Sequence, residues 1–299
     1  MSTGYSIEPK YQKRIAELCN NVNWNYNDIF LIKEPIGGTN TTFFVSYHDE
    51  LFVLRIATDT IDLLQIDRNA EAEVMRIASN DGIGLKLYYF DENNGDMITY
   101  YEDGHVPTMD ELKKQSNIDK LIEQFKKLHG HHVAHFFMPT VDIEKRINRI
   151  SLDKQLNKRK NYTIALSLFR SIQCKFNSFD QRFVGLCHND ASNYNMLLGE
   201  EIKLLDFEFA GMGNIFYDLA CVCGLWGIDD QIMFLQKYFG CVDRNYLHII
   251  KDYTILELIW NGTWAYIKYT DNNLIDIDYL GWADEQFGLA IDLLHHNSV

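Results

Sequence analysis

Residues 187–211 read CHNDASNYNMLLGEEIKLLDFEFAG. His188, Asp190 and Asn195 stand in a short polar stretch without helical periodicity, and Asp206 and Glu208 follow the apolar run 202–205, IKLL. Such a run reads as a buried strand, and a strand end is a rigid place from which to project a carboxylate. Magnesium takes hard oxygen donors, usually one or two carboxylates together with substrate phosphates and waters. Asn195 and Asp206 meet that requirement. Asp190 is then free to accept, or at least to orient, the proton of an attacking hydroxyl.

Upstream, the first third of the chain reads as β-rich. IFLIKEPIGG, TTFFVSYHD and ELFVLRIA are β-branched and aromatic runs separated by Gly37-Gly38 and His48-Asp49. DRNAEAEVMRIASNDG reads as a helix that Asp67 caps and Gly82 ends. LKLYYFD and DMITYYED read as a hairpin around Asn94-Gly95. After Gly104 the pattern changes. Thr108 and Glu111 have capping-box spacing at the start of an amphipathic helix running to about residue 130. Further helices are expected at roughly 142–177, 216–240, 243–270 and 276–296, with short strands in FVGLCH, NMLLG and IKLLDFE. The stretch 103–107, DGHVP, is the natural hinge. The expected domains are therefore 1–103 and 104–299, with a ligand site in the cleft between them.

A chain of 299 residues that is 46% hydrophobic and 23% charged can bury a sizeable core. Its formal net charge of −14 repels nucleic acid and anionic membranes and favours a cationic small molecule. The start is polar and amphipathic, unlike a secretory h-region, and no run approaches the ~18 apolar residues of a spanning helix. The six scattered cysteines read as reduced thiols in a cytoplasmic protein. Cys221 and Cys223 read as packing in an apolar helix, because zinc-site spacing is missing around them. HGHHVAH (129–135) invites a metal reading through His131 and His135 on a shared helix face, but solvent exposure at a helix end explains it more simply.

The order His188-x-Asp190-x4-Asn195, then Asp206-Phe207-Glu208, is close to the kinase order of catalytic Asp, metal Asn and metal Asp. CHNDASNYNMLL and LLDFEFAGMGNIFYDLA resemble the aminoglycoside phosphotransferase and choline kinase branch of the protein-kinase-like fold, and the LicA-type bacterial choline kinases most closely. The resemblance spans most of the chain and implies an α+β fold of two lobes. The first is a small lobe with an antiparallel sheet and one helix; the second is large and mainly helical. It implies ATP in the cleft and Mg²⁺ on Asn195 and Asp206. Asp190 is implied as the catalytic residue, with His188 and Asp218 bracing its loop. Asp218 also reads simply as a helix N-terminal carboxylate. Gly37, Gly38, Thr39, Asn40 and Thr41 would form the nucleotide loop, although the same residues can be a plain hairpin turn. Arg55, where protein kinases have Lys, would take phosphate bidentately. Its helix partner would be Glu71, with Glu73 the alternative, and adenine would meet backbone around 97–102.

The resemblance further implies a small cationic alcohol as acceptor, choline first. Trp260 and Trp264, four apart on one helix, with Tyr279 and Trp282 on the next, would supply aromatic faces for its cation. Glu208 would supply the negative wall. Aromatic stripes at helical spacing also serve simply as core. Ethanolamine, thiamine or an aminoglycoside are other acceptors for the same chemistry. A kinase-like protein that binds nucleotide without catalysis is an alternative of another class.

Overall fold

The computed structural model describes residues 7–37, 40–57, 66–176, 180–241, 243–270 and 277–295. The chain is mixed α+β and divides into two compact units. One comprises residues 1–107 with 194–209, the other 108–193 with 210–299.

In the first unit β1 (Phe30–Leu31), β2 (Thr41–Tyr47), β3 (Glu50–Ile56), β4 (Leu87–Phe90) and β5 (Met97–Tyr100) form an antiparallel sheet in the order β1-β2-β3-β5-β4. Phe43 and Val45 on β2, and Phe52 and Leu54 on β3, point into one core, as a period of two requires. The sequence led us to expect one helix here, and a second is present. The helix α1 (Pro9–Asn21) starts on a proline and buries Ile15, Leu18 and Cys19 in the same core. Arg14 anchors α1 through Asp96, at 2.5 Å, and through the Ala57 carbonyl, at 2.8 Å. The helix α2 (Arg68–Asn80) begins where the Asp67 side chain accepts from the Asn69 and Ala70 amides, and Gly82 follows its end at φ +66°. A small hairpin, β7 (Met196–Leu198) with β8 (Ile202–Leu204), belongs to this unit and is tied to it by the Leu204 amide donating to the Ile83 carbonyl at 2.8 Å.

Among the described residues the second unit is mainly helical, with a two-stranded ladder, β6 (Val184–Cys187) with β9 (Gly211–Asn214). Two of the long helices expected from sequence are each two helices, as is the one opening at Thr108. The capping box at Thr108 and Glu111 is formed, but α3 (Met109–Leu112) ends after a single turn and α4 (Gln115–His129) restarts behind it. The span 142–177 divides into α5 (Pro139–Ile150) and α6 (Lys160–Ile172), because the Asp153 carboxylate captures the Gln155 and Leu156 amides in a turn. The span 216–240 divides into α7 (Phe216–Cys223) and α8 (Ile228–Phe239) around Gly224 and Gly227. The helix α9 (Arg244–Thr270) is long and buried on most sides, and it packs on α5, α7 and α10 (Tyr279–His295). Among the described residues no helix is long and apolar enough to cross a membrane.

Candidate active site

In the first unit the hairpin β7–β8 fixes two of the expected residues at one end of a ladder. Met196 faces Leu204, and the Leu205 amide donates to the Asn195 carbonyl at 2.8 Å. Asn195 and Asp206 therefore flank the same end of the hairpin. Asp206 has φ +61°, a left-handed conformation that is costly for a residue with a Cβ. This bend turns the chain sharply where the ladder ends. The Asp206 side chain remains 31% exposed. A carboxylate and an amide presented together are the hard oxygen donors that magnesium prefers, so the residues fit that ion.

Behind Asp206 lies a buried cluster of charge. One Arg55 nitrogen, Nη1, reaches Asp206 at 3.0 Å, while Nη2 lies 2.5 Å from Glu71 and donates to the Gly95 carbonyl at 2.8 Å. Glu71 therefore partners Arg55, whereas Glu73 is solvent-exposed. Arg68 pairs with Glu71 at 2.5 Å and approaches Glu208 at 3.7 Å. Gly95, read from sequence only as a turn residue, is needed for a second reason. At φ +83° it admits the Arg68 side chain, whose Nε would lie 2.4 Å from any Cβ placed there. The Asn40 amide donates to Asp206 at 3.4 Å and to Glu208 at 3.3 Å. Burial, with Asp206 and Glu71 nearby, raises the Glu208 carboxyl to about 8 even though Arg55 and Arg68 oppose the shift. Glu208, expected in an acceptor wall, thus sits with Arg68 and Asn40. Thr41 is on β2 with its hydroxyl 2.9 Å from Tyr11, and Gly37 borders the loop. Gly38 and Thr39 lie outside the described residues.

In the second unit Asp190 follows β6 in a braced loop. The Asp218 carboxylate, fully buried near the start of α7, accepts from the His188 and Asn189 amides, each at 2.7 Å. It also meets His129 Nε2 at 3.1 Å, and the other His129 ring nitrogen lies 2.6 Å from the Tyr238 hydroxyl. His188 is buried and its Nδ1 accepts from the Asp190 amide at 3.3 Å. Asn189, at φ +63°, donates its side-chain amide to the Cys187 and Gly211 carbonyls. Sequence reading passed over His129. Its signal was an apolar helix face interrupted by a histidine at the last turn of α4. His131 and His135 do not share a helix face: α4 ends at His129, and His135 Nε2 meets the Ala210 carbonyl at 2.9 Å.

The four expected cage aromatics divide. Trp264 meets Tyr279 edge-on at 5.9 Å and Trp282 at 5.6 Å between ring centroids. Trp260 is buried at 3% exposure. Its indole nitrogen donates to Asp142 at 2.7 Å, and the Arg146 guanidinium lies 4.2 Å from its ring centroid. Trp260 thereby joins a polar knot of the core.

The chain matches the phosphotransferase enzyme family (APH) over residues 34–241, and it belongs to that family. It is 27% identical over 134 residues to probable choline kinase 2 of Arabidopsis thaliana, covering 35% of this chain and 38% of that protein. The chain thus spans well under half the length of the curated relatives it matches. It is similar in fold to choline kinase LicA from Streptococcus pneumoniae, with a TM-score of 0.77 at 18% identity over 96% of this chain and 99% of that one. It is also similar in fold to a choline/ethanolamine kinase family protein from Mesorhizobium loti, with a TM-score of 0.73 at 22% identity over 88% of each chain.

Proposed function

We propose that this protein transfers the terminal phosphoryl group of ATP to the hydroxyl of a small cationic alcohol, choline first, to give phosphocholine. The observation that carries this reading is the pairing of Asn195 with Asp206 at one ladder end, backed by the Arg55–Glu71 ion pair. Asn195 and Asp206 would hold Mg²⁺. When bound, the ion supplies charge neutralisation on the triphosphate. Arg55 would offer its fork to phosphate oxygens, with Glu71 holding the guanidinium in place and Gly37–Thr41 covering the phosphates with backbone amides. Asp190 would accept the acceptor's hydroxyl proton, or orient that hydroxyl for in-line attack. Its freedom to swing is limited by Asp218 and His188, and so positioning supplies much of the rate. Trp264, Tyr279 and Trp282 would face the acceptor's cation. Ethanolamine is the second acceptor in this reading, since the family name of the Mesorhizobium loti neighbour covers both alcohols. The two-lobed division near residue 103 and a cytoplasmic setting belong to the same proposal.

The test is ATP consumption with choline, ethanolamine, thiamine and kanamycin as acceptors. Choline is expected to give the largest kcat/KM. Asp190→Ala is expected to lower turnover by about 10²–10⁴-fold while Mg-ATP still raises the melting temperature. Turnover that survives in Asp190→Ala would remove Asp190 from the chemistry. A wild-type protein that binds Mg-ATP and phosphorylates none of the four would favour a non-catalytic nucleotide binder.

A further inference from the structure

The helix α9 carries a feature that the aromatic pattern hides. From Tyr253 to Lys268 every residue is buried except Glu257, Asn261 and Trp264. Their spacing, i, i+4 and i+7, places them on one face of the helix. A helix packed on all other sides therefore opens along a single strip, made of a carboxylate, an amide and an indole. The strip has two recognisable ends. At one end Trp264 meets Tyr279 and Trp282. At the other, Glu257 lies within electrostatic reach of Asp190, Tyr217 and Cys221. All of these residues belong to the second unit.

Among the described residues Glu257 has no cationic partner of its own and makes no ion pair, and its hydrogen bond comes from the Asn261 side-chain amide one turn on. That bond engages one carboxylate oxygen, Oε1. The buried guanidinium of Arg146, on α5, is engaged by Asp142 at 2.6 Å and by the Trp260 ring and carbonyl. The uncompensated charge shows in Glu257 itself, whose carboxyl is raised to about 8 by burial and then by Asp190. A half-buried carboxylate without a counter-ion, about two helical turns from an indole cluster, is complementary to a compact organic cation.

We propose that Glu257, held by Asn261, is the acceptor-binding carboxylate, and that it selects alcohols bearing a positive charge by pairing with the ammonium while Trp264 and Trp282 cover its apolar substituents. This rests on the reading of the chain as a kinase of a cationic alcohol and names the group that reads the charge. It moves the negative wall from Glu208 to Glu257. The alcohol's hydroxyl would extend from the ammonium toward Asp190, the residue whose charge Glu257 already senses.

The test uses the full chain and two isosteres, choline and its neutral carbon analogue 3,3-dimethylbutan-1-ol, titrated calorimetrically without nucleotide. The wild type is expected to bind choline at least about tenfold more tightly than the neutral alcohol. Glu257→Gln is expected to erase that preference, chiefly by weakening choline. Glu257→Asp should keep a preference for the cation. A wild type with no preference for the cation overturns the proposal without recourse to any variant. So does a folded Glu257→Gln protein that keeps it. Phosphoryl transfer is followed separately. A charge preference lost in Glu257→Gln, in a protein that never phosphorylates choline, supports the strip and removes the kinase reading. Brisk phosphorylation of choline, with unchanged discrimination in Glu257→Gln, leaves the kinase and removes Glu257.

Discussion

Glu257 holds its proton more tightly in the folded chain than in the unfolded one, and this ties stability to pH. Its carboxyl lies at about 8, against an ordinary value of 4.5, because burial disfavours the charge and Asp190 repels it. Tyr217 and Cys221 face the same group and Asn261 hydrogen-bonds it. Since the folded form binds the proton more strongly, the contribution is fully present below about 4.5 and is lost as pH rises through about 8. Glu257→Gln should therefore flatten the pH dependence. The melting temperature of the wild type relative to that variant is expected to fall between pH 5 and pH 9, by an amount corresponding to on the order of a few kcal/mol. A difference that stays constant over that range would mean that Glu257 ionises freely. Choline, by placing a cation beside the carboxylate, should pull its ionisation back toward neutral pH and release a proton on binding. This residue was silent in the sequence. A glutamate among ELIWNGTW is unremarkable as a letter, and only the burial of everything around it gives it meaning. Asp190, Asn195 and Asp206 were legible because their chemistry is local, packed into a few residues on either side of two short strands.

At the level of elements, the long helix α9 is held against α10 by the lack of a side chain. A Cβ on Gly262 would lie 2.4 Å from Phe287 Cε1 and 2.6 Å from Cζ, and a ring packed in the core has little room to yield. Helix propensity favours alanine over glycine by about 1 kcal/mol. Overpacking costs about 1–3 kcal/mol, so it is expected to win. Gly262→Ala should lower stability by up to about 2 kcal/mol net, read from urea unfolding. It should also weaken choline binding, because Trp264 on α9 meets Tyr279 and Trp282 on α10. A variant more stable than wild type would show that the two helices are not in such close register. Strands β2 and β3 and helix α2 could be read directly, since alternation and caps are written in adjacent residues. Helix breaks were less visible. Gly224 and Gly227 do mark the break before α8, but Lys113 and Lys114, between α3 and α4, include no breaker. There the Asn117 side chain takes the Glu111 carbonyl at 2.9 Å and Leu112 is buried, so tertiary contacts end the turn. The helix α1 was amphipathic in sequence, yet its place in the sheet's core depends on Arg14 finding Asp96, eighty-two residues away.

For the whole molecule, a formal charge of −14 acts on both substrates of the proposed reaction, with opposite sign. A cationic alcohol approaching an acidic protein is attracted over roughly a Debye length, about 10 Å at 0.1 M salt, and a nucleotide triphosphate is repelled over the same range. Added salt screens both. Local pairing at Glu257 is short-ranged and partly shielded from solvent, so it should be less affected than the approach. Raising NaCl from about 20 to 200 mM is therefore expected to lower kcat/KM for choline by about two- to fivefold. It should leave 3,3-dimethylbutan-1-ol unchanged and hold or improve kcat/KM for Mg-ATP measured at saturating choline. The three slopes together separate field from denaturation. Loss of structure would depress all three substrates alike, whereas a field effect splits them by charge. If choline and the neutral alcohol respond identically, the surplus of 42 acidic over 28 basic residues does not bear on acceptor capture, and its selection would have to rest on the strip of α9 alone.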